Sequence, residues 1–300
     1  MKYNFIDLFA GIGGFHLALN SLGMKCVFSC EIDNHARKTY LANFKEKFLS
    51  SSDFFPEDIW NINVKNIPDF DILCAGFPCQ PFSQAGKKKG FKDNKNGNLF
   101  FSIENILKVK KPKAFILENV RHLKNHDNGK TFKKIYQSLT NLNYTFDFEI
   151  LKASDFGLPQ YRPRIYMVGF YKPFIQKKYY NLPFTFPKKI KLKKTMSDIF
   201  GGFCSKDLSG KEERKIGFTL RVGGSRSGIN DRRNWDGYIV DKKVIRINPK
   251  FALEMMGFPR NFIFPVSDNQ AMKQLGNSVA VNVIKELGLK VEEHINLYLK

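Results

Sequence analysis

Phe70-Asp71-Ile72-Leu73-Cys74-Ala75-Gly76-Phe77-Pro78-Cys79-Gln80-Pro81-Phe82-Ser83 is the stretch on which the reading of the fold turns. Residues 70–75 form a short apolar run, the pattern of a strand buried on both faces in a parallel sheet. A cysteine just beyond the end of such a strand stands where open α/β sheets carry their chemistry. Pro78 and Pro81 flank Cys79, and because proline fixes φ they present the thiol on a stiffened loop. An isolated cysteine is more often a small buried hydrophobe. The loop and the partners identified below make Cys79 a candidate nucleophile.

Upstream, residues 3–9 alternate as a strand and run into Asp7-Leu8-Phe9-Ala10-Gly11-Ile12-Gly13-Gly14, after which a helix begins. Strand, glycine turn and helix bring backbone close to a nucleotide-like ligand. The third glycine of a dinucleotide fingerprint is missing, because His16 occupies its place. A second strand over 26–31 ends in Glu31, where a carboxylate can accept hydrogen bonds from both ribose hydroxyls. A solvated strand end is the plainer alternative. A helix over 34–44 follows, then Asp58-Ile59-Trp60.

Downstream, Gln84–Asp93 is basic and bounded by glycines, and it lacks periodicity. Either it is a solvated loop or a lid whose Lys87, Lys88 and Lys89 touch phosphates; its place beside Cys79 favours the lid. A helix over 99–109 and a strand over 114–117 lead to Glu118-Asn119-Val120. A helix over 130–142 precedes two strands, 144–151 and 164–170, read as a closing pair. Between them, alternation puts Gln160, Arg162 and Arg164 on one side of an extended segment, donors suited to an anionic or carbonyl ligand or to salt bridges.

The texture changes between 173 and 245, where seventeen Lys/Arg face seven Asp/Glu and glycine, arginine and aromatics mix. This reads as a small domain whose loops, with Arg221 and Arg226, touch nucleic acid. Residues 1–172 and 246–300 then make up the larger domain. Asn248-Pro249 signals a helix start, Gly257 its end, and a last amphipathic helix reaches about residue 298.

The formal charge of +21 favours a polyanionic partner. No apolar run is long enough for a membrane span, and Asp7 interrupts the only apolar segment at the start, so no signal peptide is read. Five irregularly spaced cysteines indicate neither a disulfide framework nor a zinc site. A reducing, cytoplasmic setting is expected.

Together these motifs resemble the S-adenosylmethionine-dependent DNA (cytosine-5)-methyltransferases. The resemblance is carried by residues 7–14, Glu31, Asp58-Ile59, Gly76–Ser83, Glu118-Asn119-Val120, Gln160-x-Arg162-x-Arg164, Gly257-Phe258-Pro259 and Gln274-x-Gly276-Asn277-Ser278-Val279. It covers roughly 1–170 and 245–300; the stretch between corresponds to the family's variable target-recognition region. The implied fold is α/β, a Rossmann-like domain with a mixed, mostly parallel sheet, helices on both faces and a small target-recognition domain. The resemblance implies that Phe9, Gly11, Ile12, Gly13 and Gly14 line the cofactor pocket. It gives Glu31 the ribose and Ile32, Asp58 and Ile59 the adenine. Pro78, Leu99, Asn277 and Val279 would close the methionine end. No metal is implied. Double-stranded DNA is the implied partner, with Gln80 and Ser83 near it, and a cognate restriction endonuclease is a possible counterpart to a monomeric enzyme. Related enzymes carry a serine in the lid that helps fill the gap left by a flipped base; Ala85 stands at that position here.

That chemistry explains the residue types. Cytosine C5 is a poor nucleophile until a thiolate adds to C6, which requires covalent catalysis by Cys79. Arg162 or Arg164 would favour the thiolate. Glu118 would hydrogen-bond or protonate N3, for which a raised pKa is needed, and Arg164 would hold the base's carbonyl oxygen. The base must leave the stack to be reached. The same chemistry on tRNA and a catalytically silent DNA-binding relative remain the alternatives.

Overall fold

The computed structural model describes residues 3–78, 99–222 and 227–299. The first elements are β1 (Asn4–Leu8), α1 (Gly14–Asn20), β2 (Lys25–Cys30) and α2 (Asn34–Asn43). After an irregular segment come β3 (Ile72–Gly76), α3 (Phe100–Lys110), β4 (Ala114–Val120), α4 (Lys130–Asn141), β5 (Asp147–Lys152) and β6 (Pro163–Phe170).

These six strands form one sheet in the order β2-β1-β3-β4-β6-β5. The β1/β2, β1/β3 and β3/β4 pairs are parallel, and β6 runs antiparallel to both β4 and β5. The mostly parallel α/β sheet is the one the sequence implies. Strand residues alternate between two buried layers: Phe5, Cys74 and Ile116 enter one apolar cluster, and Ile6, Leu73 and Leu117 the other. α1 and α2 cover the first face through Phe15, Leu19 and Tyr40; α3 and α4 cover the second through Ile103, Leu107, Ile135 and Leu139. In α4 the buried residues Thr131, Ile135 and Leu139 recur every fourth position, which makes a single buried stripe.

Two boundaries differ from the expected ones. β4 continues to Val120, so Glu118 is a strand residue paired across from Gly76. β5 begins at Asp147 rather than 144, because Tyr144 turns inward to donate its hydroxyl to the Pro112 carbonyl at 2.9 Å.

The remaining elements are α5 (Met196–Phe200), β7 (Cys204–Ser205), β8 (Gly237–Val240), β9 (Lys243–Arg246), α6 (Pro249–Met256), α7 (Asp268–Asn277) and α8 (Val281–Leu299). β7, β8 and β9 make a small antiparallel sheet. Its Cys204, Tyr238 and Val240 belong to the same apolar cluster as Met255 and Met256 of α6. α6 starts as its sequence dictates, with the Asn248 side chain accepting from the Phe251 N–H at 3.1 Å and Pro249 in the first turn. α8 packs on α1, where a Cβ added at Gly288 would meet Leu19 Cδ2 at 2.5 Å. No helix among the described residues is long and apolar enough to cross a membrane.

Candidate active site at the carboxyl ends of the strands

The chain order reverses between β1 and β3: β2 lies on one side of β1, β3 and β4 on the other. Loops diverge there and leave a crevice beyond the carboxyl ends of the strands. A cavity of about 690 Å³ occupies it. Phe9, Gly11 and Ile12 line it after β1, Glu31 and Ile32 after β2, and Gly76, Phe77 and Pro78 at the end of β3. Asp58, Ile59, Leu99, Glu118, Asn119, Arg162, Arg164 and Asn277 also line it.

One end is built around Glu31. Its carboxylate accepts the Gly11 N–H at 2.7 Å and the Asp33 N–H at 2.7 Å, which ties the β2 terminus to the glycine turn. Burial raises its pKa, and these backbone donors partly oppose the rise. Phe9 has φ 56, in the left-handed region that non-glycine residues rarely occupy, and such strain clusters at ligand clamps. Gly13, Gly14 and Val279 do not line the wall but stand behind it. A Cβ at Gly13 would meet Phe44 Cε2 at 2.3 Å, and one at Gly14 would meet Val279 Cγ2 at 2.6 Å.

The other end holds Glu118 on β4 and Arg164 on β6. Arg164 Nε lies 3.0 Å from Glu118 Oε1, and both side chains are largely buried. Burial raises the Glu118 pKa, while Arg164 and then Arg162 pull it down. Arg162 is 2 % exposed. Its guanidinium donates to the carbonyls of Leu220 (3.3 Å), Gly276 (2.9 Å) and Ser278 (2.6 Å), while its Nε has no hydrogen-bond partner among the described residues. Gln160 turns away from the cavity. It donates to the Met255 carbonyl at 3.1 Å and accepts from Leu220 N–H at 3.0 Å, so of the three alternating donors only the two arginines reach the wall.

Cys79, Gln80, Ser83, Lys87, Lys88, Lys89 and Arg226 lie outside the described residues. The chain leading to them is anchored: Asn119 Nδ2 donates to the Phe77 carbonyl at 2.8 Å, two residues before Cys79. Arg221 is exposed, and its backbone abuts Gly276 beside Asn277.

Several lining residues carried no assignment from sequence. Lys273 reaches from α7 to Asp33, Nζ to Oδ2 at 3.0 Å, and Gln274 Oε1 accepts from Thr39 Oγ1 at 2.9 Å. Trp60 also faces the cavity. Their signal was adjacency: Lys273 and Gln274 precede Gly276-Asn277, and Trp60 follows Asp58-Ile59. No group of His, Cys, Asp and Glu suited to a metal occurs among the described residues.

The chain is similar throughout its length to known proteins. It is 44% identical over 313 residues to the Type II methyltransferase M1.ScrFI of Lactococcus lactis subsp. cremoris, an alignment covering 97% of this chain and 78% of that one. It is 39% identical to M.HhaI of Haemophilus parahaemolyticus, covering 97% and 95%. Among solved structures, DNMT2 of Spodoptera frugiperda matches with a TM-score of 0.70 at 21% identity, covering 97% and 99%. A putative DNA modification methyltransferase encoded within a prophage of E. coli matches with a TM-score of 0.68 at 22% identity, covering 98% and 99%. At those identities the two structures speak for the fold. The family model for C-5 cytosine-specific DNA methylase matches residues 3–221 and 206–293. With the sheet, the crevice and relatives at this identity in agreement, the chain belongs to the C-5 cytosine-specific DNA methylase family.

Proposed function

We propose that the protein transfers a methyl group from S-adenosylmethionine to C5 of a flipped-out cytosine in a specific double-stranded DNA sequence, through a covalent bond between Cys79 and C6. The observation that carries this reading is one cavity that joins the Gly11–Glu31 cradle to the Glu118–Arg164 pair.

The residues present fit the cofactor. A Cβ added at Gly11 meets nothing within 4 Å, so the turn leaves open space beside the Glu31 carboxylate. Phe9, Gly11 and Ile12 would border it, Glu31 would hold the ribose, and Ile32, Asp58 and Ile59 the adenine. Pro78, Leu99 and Asn277 would close the methionine end, with Gly13, Gly14 and Val279 supporting from behind. When bound, the cofactor supplies a sulfonium methyl for transfer.

The chain's own groups act on the base. Cys79 adds to C6, and the electron pair displaced toward N3 is met by the Glu118 carboxyl, which burial shifts toward its proton-bearing form. The Arg164 guanidinium orients that carboxyl and holds the base's carbonyl oxygen. Arg162 locks β6 to the Gly276–Ser278 backbone and adds positive charge that favours a thiolate. Once C5 carries the methyl group, a base, either a water or a side chain, takes the C5 proton. The C–H electron pair restores the C5–C6 double bond as the C6–S bond breaks and Cys79 leaves as thiolate.

The charge of +21 suits counterion release from duplex DNA. Residues 173–245 form the target-recognition part, with Arg221 and Arg226, while Gln80, Ser83 and the Lys87–Lys89 run contact the duplex. On this reading the protein works as a cytoplasmic monomer, with a cognate restriction endonuclease as its counterpart.

The test uses duplex DNA containing 5-fluorocytosine, which blocks the final proton loss. A protein–DNA adduct that survives denaturation is expected with the wild type and not with Cys79→Ala. Methyl transfer to tRNA and none to duplex DNA, or an unchanged Cys79→Ala rate, overturns the reading.

A further inference from the structure

Large exposed apolar side chains on a soluble protein are normally scattered and need no explanation. Three of them line one cavity here: Val120, 40% exposed, beside Glu118 and Asn119, and Ile32, 69% exposed, and Trp60, 39% exposed, beside the Glu31 and Asp58 carboxylates. The latter two both lie within two residues of a carboxylate of the wall, Ile32 after Glu31 and Trp60 after Asp58-Ile59. The turn carrying Trp60 is fixed from both sides. Asp58 Oδ1 accepts the Trp60 N–H at 3.0 Å, and Ile59 is buried in the core, so the indole stays at the rim. Around these two apolar surfaces stand four carboxylates that also line the cavity, Glu31, Asp33, Glu57 and Asp58.

A flat, uncharged ring that carries amino hydrogens at its edge matches such a place. Its faces would cover the apolar surfaces, and its donors would meet the acceptors. An indole offers a broad π-face, and stacking a base on an aromatic side chain contributes substantially to affinity. We propose that Trp60 is the aromatic wall for the adenine ring of the cofactor, with Ile32 as the second apolar wall, and that Trp60 sets the affinity for the adenine portion. The proposal rests on the cofactor reading above and adds to it a residue that the motifs do not name.

The experiment compares S-adenosylhomocysteine with S-ribosylhomocysteine, which lacks the adenine, by calorimetric titration of wild type, Trp60→Ala and Trp60→Phe. Trp60→Ala is expected to weaken S-adenosylhomocysteine roughly tenfold or more. Trp60→Phe should keep most of the affinity, and S-ribosylhomocysteine should bind wild type and Trp60→Ala alike. Equal affinity of Trp60→Ala and wild type for S-adenosylhomocysteine overturns the proposal while leaving the cofactor reading intact. A wild type that binds neither compound overturns the cofactor reading and the proposal with it. The chain has two tryptophans, and Trp235 is buried at 3% exposure. In Trp235→Phe, Trp60 is therefore the sole indole emitter. Its fluorescence should change on saturation with S-adenosylhomocysteine, which tests the contact even where Trp60→Ala does not fold; an unchanged spectrum counts against it.

Discussion

The Nε of Arg164 lies 3.0 Å from Oε1 of Glu118 across the β4–β6 ladder, in which Val120 pairs with Arg164 and Glu118 with Tyr166. The two side chains therefore meet diagonally on one face of an antiparallel pair, where the backbone holds both ends. Burial raises the carboxyl's pKa despite the guanidinium, so its protonated form persists to higher pH than that of an ordinary glutamate. Glu118→Gln is expected to lower the methyl-transfer rate by about 100-fold or more while cofactor affinity stays unchanged. In the wild type the rate should fall as pH rises through the raised value, and Glu118→Gln should lose that alkaline fall. A variant that keeps the same pH profile would show that another group titrates.

Much of this arrangement was legible in the sequence because it rests on local rules. Apolar runs fixed the strands, and Asn248-Pro249 and Gly257 marked both ends of α6. The carboxylate at 31 falls just past β2, and the one at 118 lies within the last three residues of β4. Long-range packing was not legible. Alternation grouped Gln160 with the two arginines, yet Gln160 is held by α6, whose position depends on the whole fold. Lys273 and Asp33 are 240 residues apart in the chain and meet only once α7 is placed. The glycines show the same limit, since spacing does not separate those facing the ligand from those facing the core.

Gly11 and Gly13 illustrate that division. Both have positive φ, 57 and 82, so alanine at either costs about 1–2 kcal/mol in backbone strain. At Gly13 the new methyl also meets Phe44 and Tyr40, adding about 1–3 kcal/mol of overpacking. Gly13→Ala should thus lower the denaturation midpoint clearly more than Gly11→Ala. Gly11→Ala should instead weaken cofactor binding, because its methyl projects into open space at the cavity wall. Chemical denaturation alongside titration with S-adenosylhomocysteine separates the two; the reverse ranking would contradict the packing described here.

Arg162 joins β6 to two distant segments through three carbonyls, at Leu220, Gly276 and Ser278. A lysine brings the same charge without the planar fork that reaches several acceptors at once. Arg162→Lys is expected to cost about 2–4 kcal/mol, since buried carbonyls lose their donors. Hydrogen exchange should quicken in α7 and around Leu220 more than in β1 or β3. Uniform loosening across the sheet would mean that Arg162 is not the stitch between these parts.

Asp7 gives a prediction about stability. It lies in the middle of the sheet, between Ser29 on β2 and Cys74 on β3, fully buried. Neither carboxyl oxygen makes a well-formed hydrogen bond among the described residues. Burial drives its pKa well above the ordinary carboxylate range, against a weaker pull from the His16 backbone N–H. Because the folded pKa is raised, the stability linked to this group is fully present below the ordinary carboxylate value. It is lost as pH climbs through the folded value. Asparagine has nearly the same shape and does not titrate. The stability of Asp7→Asn relative to wild type should therefore improve as pH rises above the ordinary carboxylate range, by up to about 1.4 kcal/mol per pH unit within the titration window. Thermal melts of the two proteins across that range are the measurement. Parallel curves would mean that the buried carboxyl is stabilised in its charged form, and the physical account of this site would have to change.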